Sequence, residues 1–163
     1  MQEDKMSRDT WLKKKLPEVI LESSQGRTLY LPDDILGQWT ILYFYPKDDT
    51  PGCTKQACGY RDNLENFKKN NIQIFGISGD DIKSHQNFSS KFHLPFELLS
   101  DPHQKLSEPL GVYGDQSWQG KTFKGLSRDT FVVDPKGIIQ IVWRKVNPEK
   151  TIEETLSALK EMI

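Results

Sequence analysis

The longest unbroken aliphatic and aromatic run in the chain is Ile41-Leu42-Tyr43-Phe44-Tyr45, and with Thr40 it carries no charge. Such a run, short and without alternation, is the pattern of a strand covered on both faces. Thr40 to Tyr45 is therefore predicted as a buried central strand. Ile72 to Ile77 repeats the pattern and is predicted as a second buried strand. Between them Ala57, Tyr60, Leu64 and Phe67 recur at spacings of three and four, which puts one apolar stripe on a helix. Thr50 and Pro51 mark its start, a hydroxyl N-cap followed by proline at the first helical position. Asn70-Asn71 marks its end. Asp80 and Asp81 are candidate caps for a further helix running to about Phe92, with Ile82, His85, Phe88 and Phe92 on one face. Leu94-Pro95 stops it.

Shorter signals complete the order. Arg27 to Leu31 reads as a short strand after a turn at Gln25-Gly26, and Phe96 to Leu99 as another. Gln104 to Leu110 reads as a short helix, and Gly111 to Lys124 as a polar, glycine-containing surface excursion. Thr130 to Val133 and Ile138 to Trp143 flank Asp134-Pro135-Lys136-Gly137, the pattern of a hairpin. Glu149 to Met162 is a final helix with Ile152, Leu156 and Leu159 inward. Strands alternating with helices and closing on a hairpin and a helix predict an α/β fold of thioredoxin-like order, a central mixed β-sheet flanked by helices. Fold order by itself assigns no function. No repeat or linker divides the chain, so residues 16–163 are expected to form one domain behind a loosely held arm at residues 1–15.

Composition narrows the partners. The 163 residues suffice for a sizeable core without a disulfide or metal. Lysine plus arginine number 22 against 23 acidic residues, a net charge of −1. That balance lacks the basic stripe of a general nucleic-acid binder. A membrane span needs about 20 apolar residues, and no such stretch is present. Met1 to Lys15 has no apolar core for a signal peptide and carries Glu3, Asp4 and Asp9, so a cytoplasmic location is expected. Lys13-Lys14-Lys15 reads as a solvated face.

The chemistry gathers at Cys53 and Cys58, the only two cysteines. Two are too few for a disulfide scaffold or a cysteine-rich zinc site. His85, His93 and His103 show no ligand spacing, so no metal is expected. Cys53 stands three residues after Thr50, in the first turn of a helix that follows a buried strand. Unpaired N–H groups and the helix dipole favour an anion there, a setting that lowers the pKa of a thiol. Pro51 and Gly52 keep side-chain bulk low beside the sulfur. In a regular helix Cys53 and Cys58 would have Cα atoms about 8.6 Å apart and about 140° apart around the axis. A disulfide needs under about 7 Å, so bridging them requires the first turns to unwind. Spacing alone leaves open that both thiols are inert core residues. It also leaves Arg128 as a plain ion-pair partner of Asp129 or Asp101.

The run from Tyr43 through Pro46-Lys47-Asp48-Asp49-Thr50-Pro51-Gly52-Cys53 to Thr54-Lys55-Gln56-Ala57-Cys58 resembles the peroxiredoxins. More narrowly it is similar to the peroxiredoxin Q group, also called bacterioferritin comigratory protein. That family's Pro-x-x-x-Thr-x-x-Cys signature stands here as Pro46, Thr50 and Cys53. The resemblance continues through Arg61-Asp62, Leu94 to Asp101, Gly111 to Gly114, Ser127 to Phe131 and Trp143 to Val146, and covers nearly everything after residue 16.

The resemblance implies a thiol peroxidase acting on hydrogen peroxide and alkyl hydroperoxides. Cys53 would be the peroxidatic cysteine and Cys58 the resolving one, joined in an intramolecular disulfide that a thioredoxin-type reductant resets. The implied cycle uses no metal, haem or flavin. Thr50 would hydrogen-bond the thiolate or peroxide, Arg128 would polarise the peroxide, and Pro46 would shape the loop and shield the sulfur. Gln56 stands where the family often carries Glu or Gln. Members of the group are often monomeric, which makes a monomer the expectation.

Two departures stand out: Leu16-Pro17-Glu18-Val19 replaces an Ala-Pro-x-Phe pattern, and Asp129 follows the arginine where a small or neutral residue is usual. On a strand, alternation would place Asp129 away from Cys53, whereas an irregular stretch would let it neutralise Arg128. Trp118 reads as a packing or surface residue, and His85 and His93 as satisfied or helix-surface residues. Two other readings compete. A thioredoxin-like disulfide reductase would use Cys-x-x-Cys rather than this wider spacing. A non-catalytic redox sensor or binding module switched by the same cysteines stays open.

Overall fold

The computed structural model describes residues 9–163. In chain order the strands and helices are β1 (Val19–Ser23), β2 (Thr28–Leu31), β3 (Trp39–Phe44), α1 (Pro51–Asp62), α2 (Leu64–Lys69), β4 (Ile72–Ser78), α3 (Ile82–Phe92), β5 (Glu97–Ser100), β6 (Tyr113–Trp118), β7 (Lys121–Leu126), β8 (Thr130–Val133), β9 (Ile139–Trp143) and α4 (Lys150–Met162). Seven strands form one sheet in the order β2-β1-β5-β4-β3-β8-β9. β3, β4 and β5 run parallel to their neighbours within that group, and the flanking pairs are antiparallel. Parallel neighbours cannot be joined by a tight turn, so α1–α2 and α3 serve as the crossovers.

The uncharged run reads out as expected, because β3 has covered faces on both sides. Ile41, Tyr43 and Tyr45 point into a helix layer with Ala57, Tyr60, Phe67, Phe88, Ile152 and Leu159. Leu42 and Phe44 point the other way, against Leu29, Leu31, Leu106, Leu110 and Phe131. This alternation with period two sends one strand's residues into two separate cores. No helix among the described residues is long and apolar enough to cross a membrane.

Several expectations are corrected. The helix expected to run unbroken from Thr50 to Asn71 stops at Asn63, whose side-chain amide donates to Gly59 O at 2.9 Å before α2 resumes. Gln104 to Leu110 forms turns rather than a helix. The Asp101 carboxylate accepts from the N–H groups of Lys105, Leu106 and Ser107 at 2.8, 3.1 and 2.9 Å, which bends the chain while still burying Leu106 and Leu110. The surface excursion is a β6–β7 hairpin, a two-stranded sheet of its own. Trp118 sits on it 66% exposed. Asp81 alone caps α3, accepting from Ser84 N, while Asp80 accepts instead from Asp48 N and Ser78 Oγ. The arm expected over residues 1–15 divides: its first eight residues lie outside the described residues, and from Asp9 the chain is fastened. Trp11 Nε1 donates to Pro109 O, backbone bonds join Lys13 and Lys14 to Ile139, and Arg144 grips the Asp9 carboxylate at 2.9 Å.

The β8–β9 turn carries a stability prediction. Asp134 accepts from the N–H groups of Lys136 and Ile138 and from the Gln140 amide, at 2.9, 3.0 and 2.8 Å. Partial burial raises its pKa, but the bonds from Ile138, Gln140 and Lys136 outweigh burial and hold the carboxyl below its ordinary range. A folded pKa below the unfolded value means stabilisation present above the unfolded pKa of about 3.9 and lost as pH falls through the folded one. Asp134→Ala is expected to cost about 1–2 kcal/mol at pH 7. In urea titrations that gap should shrink below pH 4, and a gap that stays constant to pH 2 would refute the assignment.

Candidate active site

The site stands where β3 ends and α1 begins. Thr50, extended at φ −97° and ψ 156°, is the N-cap, and Pro51 takes the first turn of α1. The Thr50 hydroxyl does not cap a helix N–H. It donates to Lys47 O at 3.0 Å, which leaves its oxygen free only to accept. Two residues past Pro51, Cys53 lies in the first turn with 1% of its surface exposed.

Arg128 reaches this sulfur from the residues just before β8. Its Nη2 lies 3.4 Å from Cys53 Sγ, and its Nη1 donates to Gln56 Oε1 at 2.9 Å. One planar fork thus spans two positions on one helix face. A Cβ on Gly52 would stand 3.0 Å from Arg128 Nη2, so the glycine makes room for the guanidinium. The neighbouring Asp129 points the opposite way, although both residues precede β8 and the stretch is not a regular strand. Its carboxylate accepts from Ser127 Oγ, Lys145 N and Arg144 Nη1 at 2.6, 2.9 and 3.0 Å. Arg128 is paired with neither Asp129 nor Asp101.

Behind Cys53 the surroundings are buried and uncharged. Burial, then the nearby Tyr60, raises the Tyr43 phenol well above its ordinary pKa, and burial pushes Tyr60 up to about 12. Both are neutral, so neither competes with Arg128 for charge. Gln56 is fully buried and its Nε2 lacks a partner, as do Tyr43 Oη and Thr130 Oγ1.

The remaining expected residues fall out unevenly. Pro46 is exposed at the head of the loop. Cys58 is half-buried on the same helix, and both thiols are free. The structure adds residues that spacing did not single out. Asp48 is buried in the loop, joined by hydrogen bonds to Tyr45, Ser84 and His85. Ser84 and His85 lie on α3, far along the chain, so only the loop composition hinted at it. Asp48, Asp80 and His85 bring three ligand-type atoms within 4.8 Å of one another, but hydrogen bonds already occupy each of them.

What meets at this point is a sulfur, a fixed positive charge and the N–H end of a helix, the equipment of thiol-based redox chemistry. The AhpC/TSA family pattern matches residues 12–142. A Coxiella burnetii protein provisionally named peroxiredoxin bcp is 46% identical over 145 residues, 89% of this chain and 95% of that one. Peroxiredoxin Bcp of Bacillus subtilis is 40% identical over 148 residues, covering 91% and 94%. Among solved structures, the bacterioferritin comigratory protein of Xanthomonas campestris, studied for alkyl peroxide reduction, superposes with a TM-score of 0.83 at 36% identity over 88% of this chain and 91% of that one. The chain belongs to the AhpC/TSA family, and within it to the peroxiredoxins of the Bcp and Q kind.

Proposed function

We propose that this thiol-dependent peroxidase works through Cys53 as the peroxidatic thiol and Cys58 as the resolving thiol. The observation that carries the reading is Arg128 Nη2 at 3.4 Å from a sulfur in the first turn of α1. A sulfur anion there is stabilised by the guanidinium and the helix N–H groups. It attacks the terminal oxygen of a hydroperoxide. The S–O bond forms as the O–O bond breaks, the departing oxygen takes a proton as water or an alcohol, and Cys53 becomes a sulfenic acid. Arg128 and the N–H groups near Gly52 and Cys53 meet the negative charge that grows on the leaving oxygen. The Thr50 hydroxyl, its own proton committed to Lys47 O, accepts from the peroxide O–H. Pro46 fixes the course of the chain into the loop. The alkyl peroxide reduction of the Xanthomonas relative supports alkyl hydroperoxides beside hydrogen peroxide as substrates. Cys53 is only 1% exposed, which keeps a protein disulfide from its sulfur and disfavours a reductase.

Cys58 then attacks the sulfenic sulfur. An S–S bond forms, water leaves, and a thioredoxin-type dithiol returns both cysteines to thiols. Because both stand on α1, the step requires its first turns to open. A reducing compartment such as the cytoplasm would keep both thiols ready for this cycle, and a monomer suffices for it because both stand on one helix of one chain.

The test is to mix fully reduced protein with one equivalent of hydrogen peroxide and then read the intact mass. Oxidation far faster than free cysteine, with a loss of about 2 Da for one disulfide, is the expected result. Oxidation at the free-thiol rate would overturn the reading. In Cys58→Ser the first oxidation should keep its rate, but the product should gain about 16 Da as sulfenic acid and stall without added thiol. Sustained turnover of Cys58→Ser on thioredoxin alone would remove Cys58 from the mechanism.

A further inference from the structure

The Pro46–Thr50 loop is held almost wholly from one direction. One Asp48 carboxylate oxygen accepts from Tyr45 Oη at 2.6 Å. The other accepts from Ser84 Oγ at 2.8 Å and lies 2.7 Å from His85 Nδ1. The Asp48 N–H donates to Asp80 Oδ2 at 2.8 Å. Asp49, at φ +58°, pairs with Lys91 Nζ at 2.7 Å. Apart from Tyr45, every one of these partners belongs to α3 or to the turn that leads into it.

Counting hydrogens defines the centre of this clamp. His85 Nε2 lies 3.0 Å from Leu99 O, and a carbonyl only accepts, so Nε2 carries a hydrogen. On its other side the ring is joined to the Asp48 carboxylate by a hydrogen bond at Nδ1, 2.7 Å long. Both residues are buried, at 0% and 6% exposure.

We propose that Asp48 and His85 are positioning residues for the peroxide step, a buried hydrogen-bonded pair that pins the loop in front of α1. The proposal rests on the reading of Cys53 as the peroxidatic thiol. Neither side chain contacts the sulfur. They act through Thr50, which is tied to Lys47 O by its hydroxyl and to Thr54 N by its carbonyl, so that a shift of Asp48 moves the N-cap and the first turn together. All the clamp bonds lie outside α1, so opening that helix for the disulfide breaks none of them.

Single-turnover stopped flow with hydrogen peroxide separates this from a merely structural role. Asp48→Ala should slow oxidation of Cys53 about ten- to a hundredfold, the scale of a small misplacement of reacting groups, without slowing the later disulfide step. Asp48→Asn should return to within about threefold of wild type, because its amide donates to Nδ1 of a neutral His85 while its carbonyl still accepts from Tyr45. Tyr45→Phe removes one clamp bond with little change of shape and should slow oxidation about three- to tenfold, which keeps the test available if Asp48→Ala does not fold. Wild-type oxidation rates in folded Asp48→Ala or Tyr45→Phe would overturn the proposal, as would Asp48→Asn no faster than Asp48→Ala. Wild-type protein that itself reacts at the free-cysteine rate would instead bring down the Cys53 reading, and this proposal with it.

Discussion

Cys53→Ser is expected to lose peroxide reduction by at least about a thousandfold, since a serine hydroxyl is not ionised near neutral pH and is a far weaker nucleophile than a thiolate. The substitution replaces one atom in a fully packed position, so the fold should persist. Peroxide consumption with dithiothreitol or thioredoxin as reductant gives the measure, and circular dichroism confirms that the variant is folded. Equal turnover by wild type and Cys53→Ser would sink the mechanism. Cys58 is not expected to stand in for Cys53, because it lies beyond the first turn of α1, away from the free N–H groups of the helix end.

Arg128→Met should cost the second-order rate of Cys53 oxidation about 10²–10³-fold, about 2.7–4 kcal/mol, the range seen when one donor to a developing oxyanion is removed. Methionine keeps much of the arginine stem and its packing, so the loss reports on charge and hydrogen bonding. Arg128→Lys should fall between the two. A single ammonium cannot reproduce the fork that holds Gln56 Oε1 with one nitrogen and faces Cys53 Sγ with the other. Gln56 would then be left buried with both ends of its amide unpaired, because its Nε2 already lacks a partner. A rate within tenfold of wild type for Arg128→Met would show that the guanidinium is not used.

The parts of this arrangement that are local in the chain were legible from the residues. β3, α1 and the β8–β9 hairpin follow from apolar patterning and turn residues, because each has a face that must be buried. Cys53 and Thr50 follow from their places in a strand–loop–helix junction. β1 carried a weaker signal, since Ile20 faces solvent at 56% exposure and breaks the alternation that would mark a strand. β6 and β7 carried less again, being exposed on both faces. The site residues from distant segments depended on resemblance or were missed. Arg128 lies 75 residues from Cys53, and spacing alone made it an ordinary surface charge. The Asp48–His85 pair, 37 residues apart, leaves no periodic trace, because it satisfies hydrogen bonds rather than a hydrophobic face.

The opposed directions of Arg128 and Asp129 make the segment that leads into β8 an insulator. Two opposite charges adjacent in sequence would neutralise each other if they shared a face. The backbone instead wires the carboxylate to Arg144 on the far side and leaves the guanidinium undimmed on the sulfur side. A one-residue slip of this strand would exchange the two terminals and turn a carboxylate toward Cys53. The register of β8 against β3, fixed where Phe44 N donates to Asp129 O at 2.8 Å, is therefore also the polarity switch of the site.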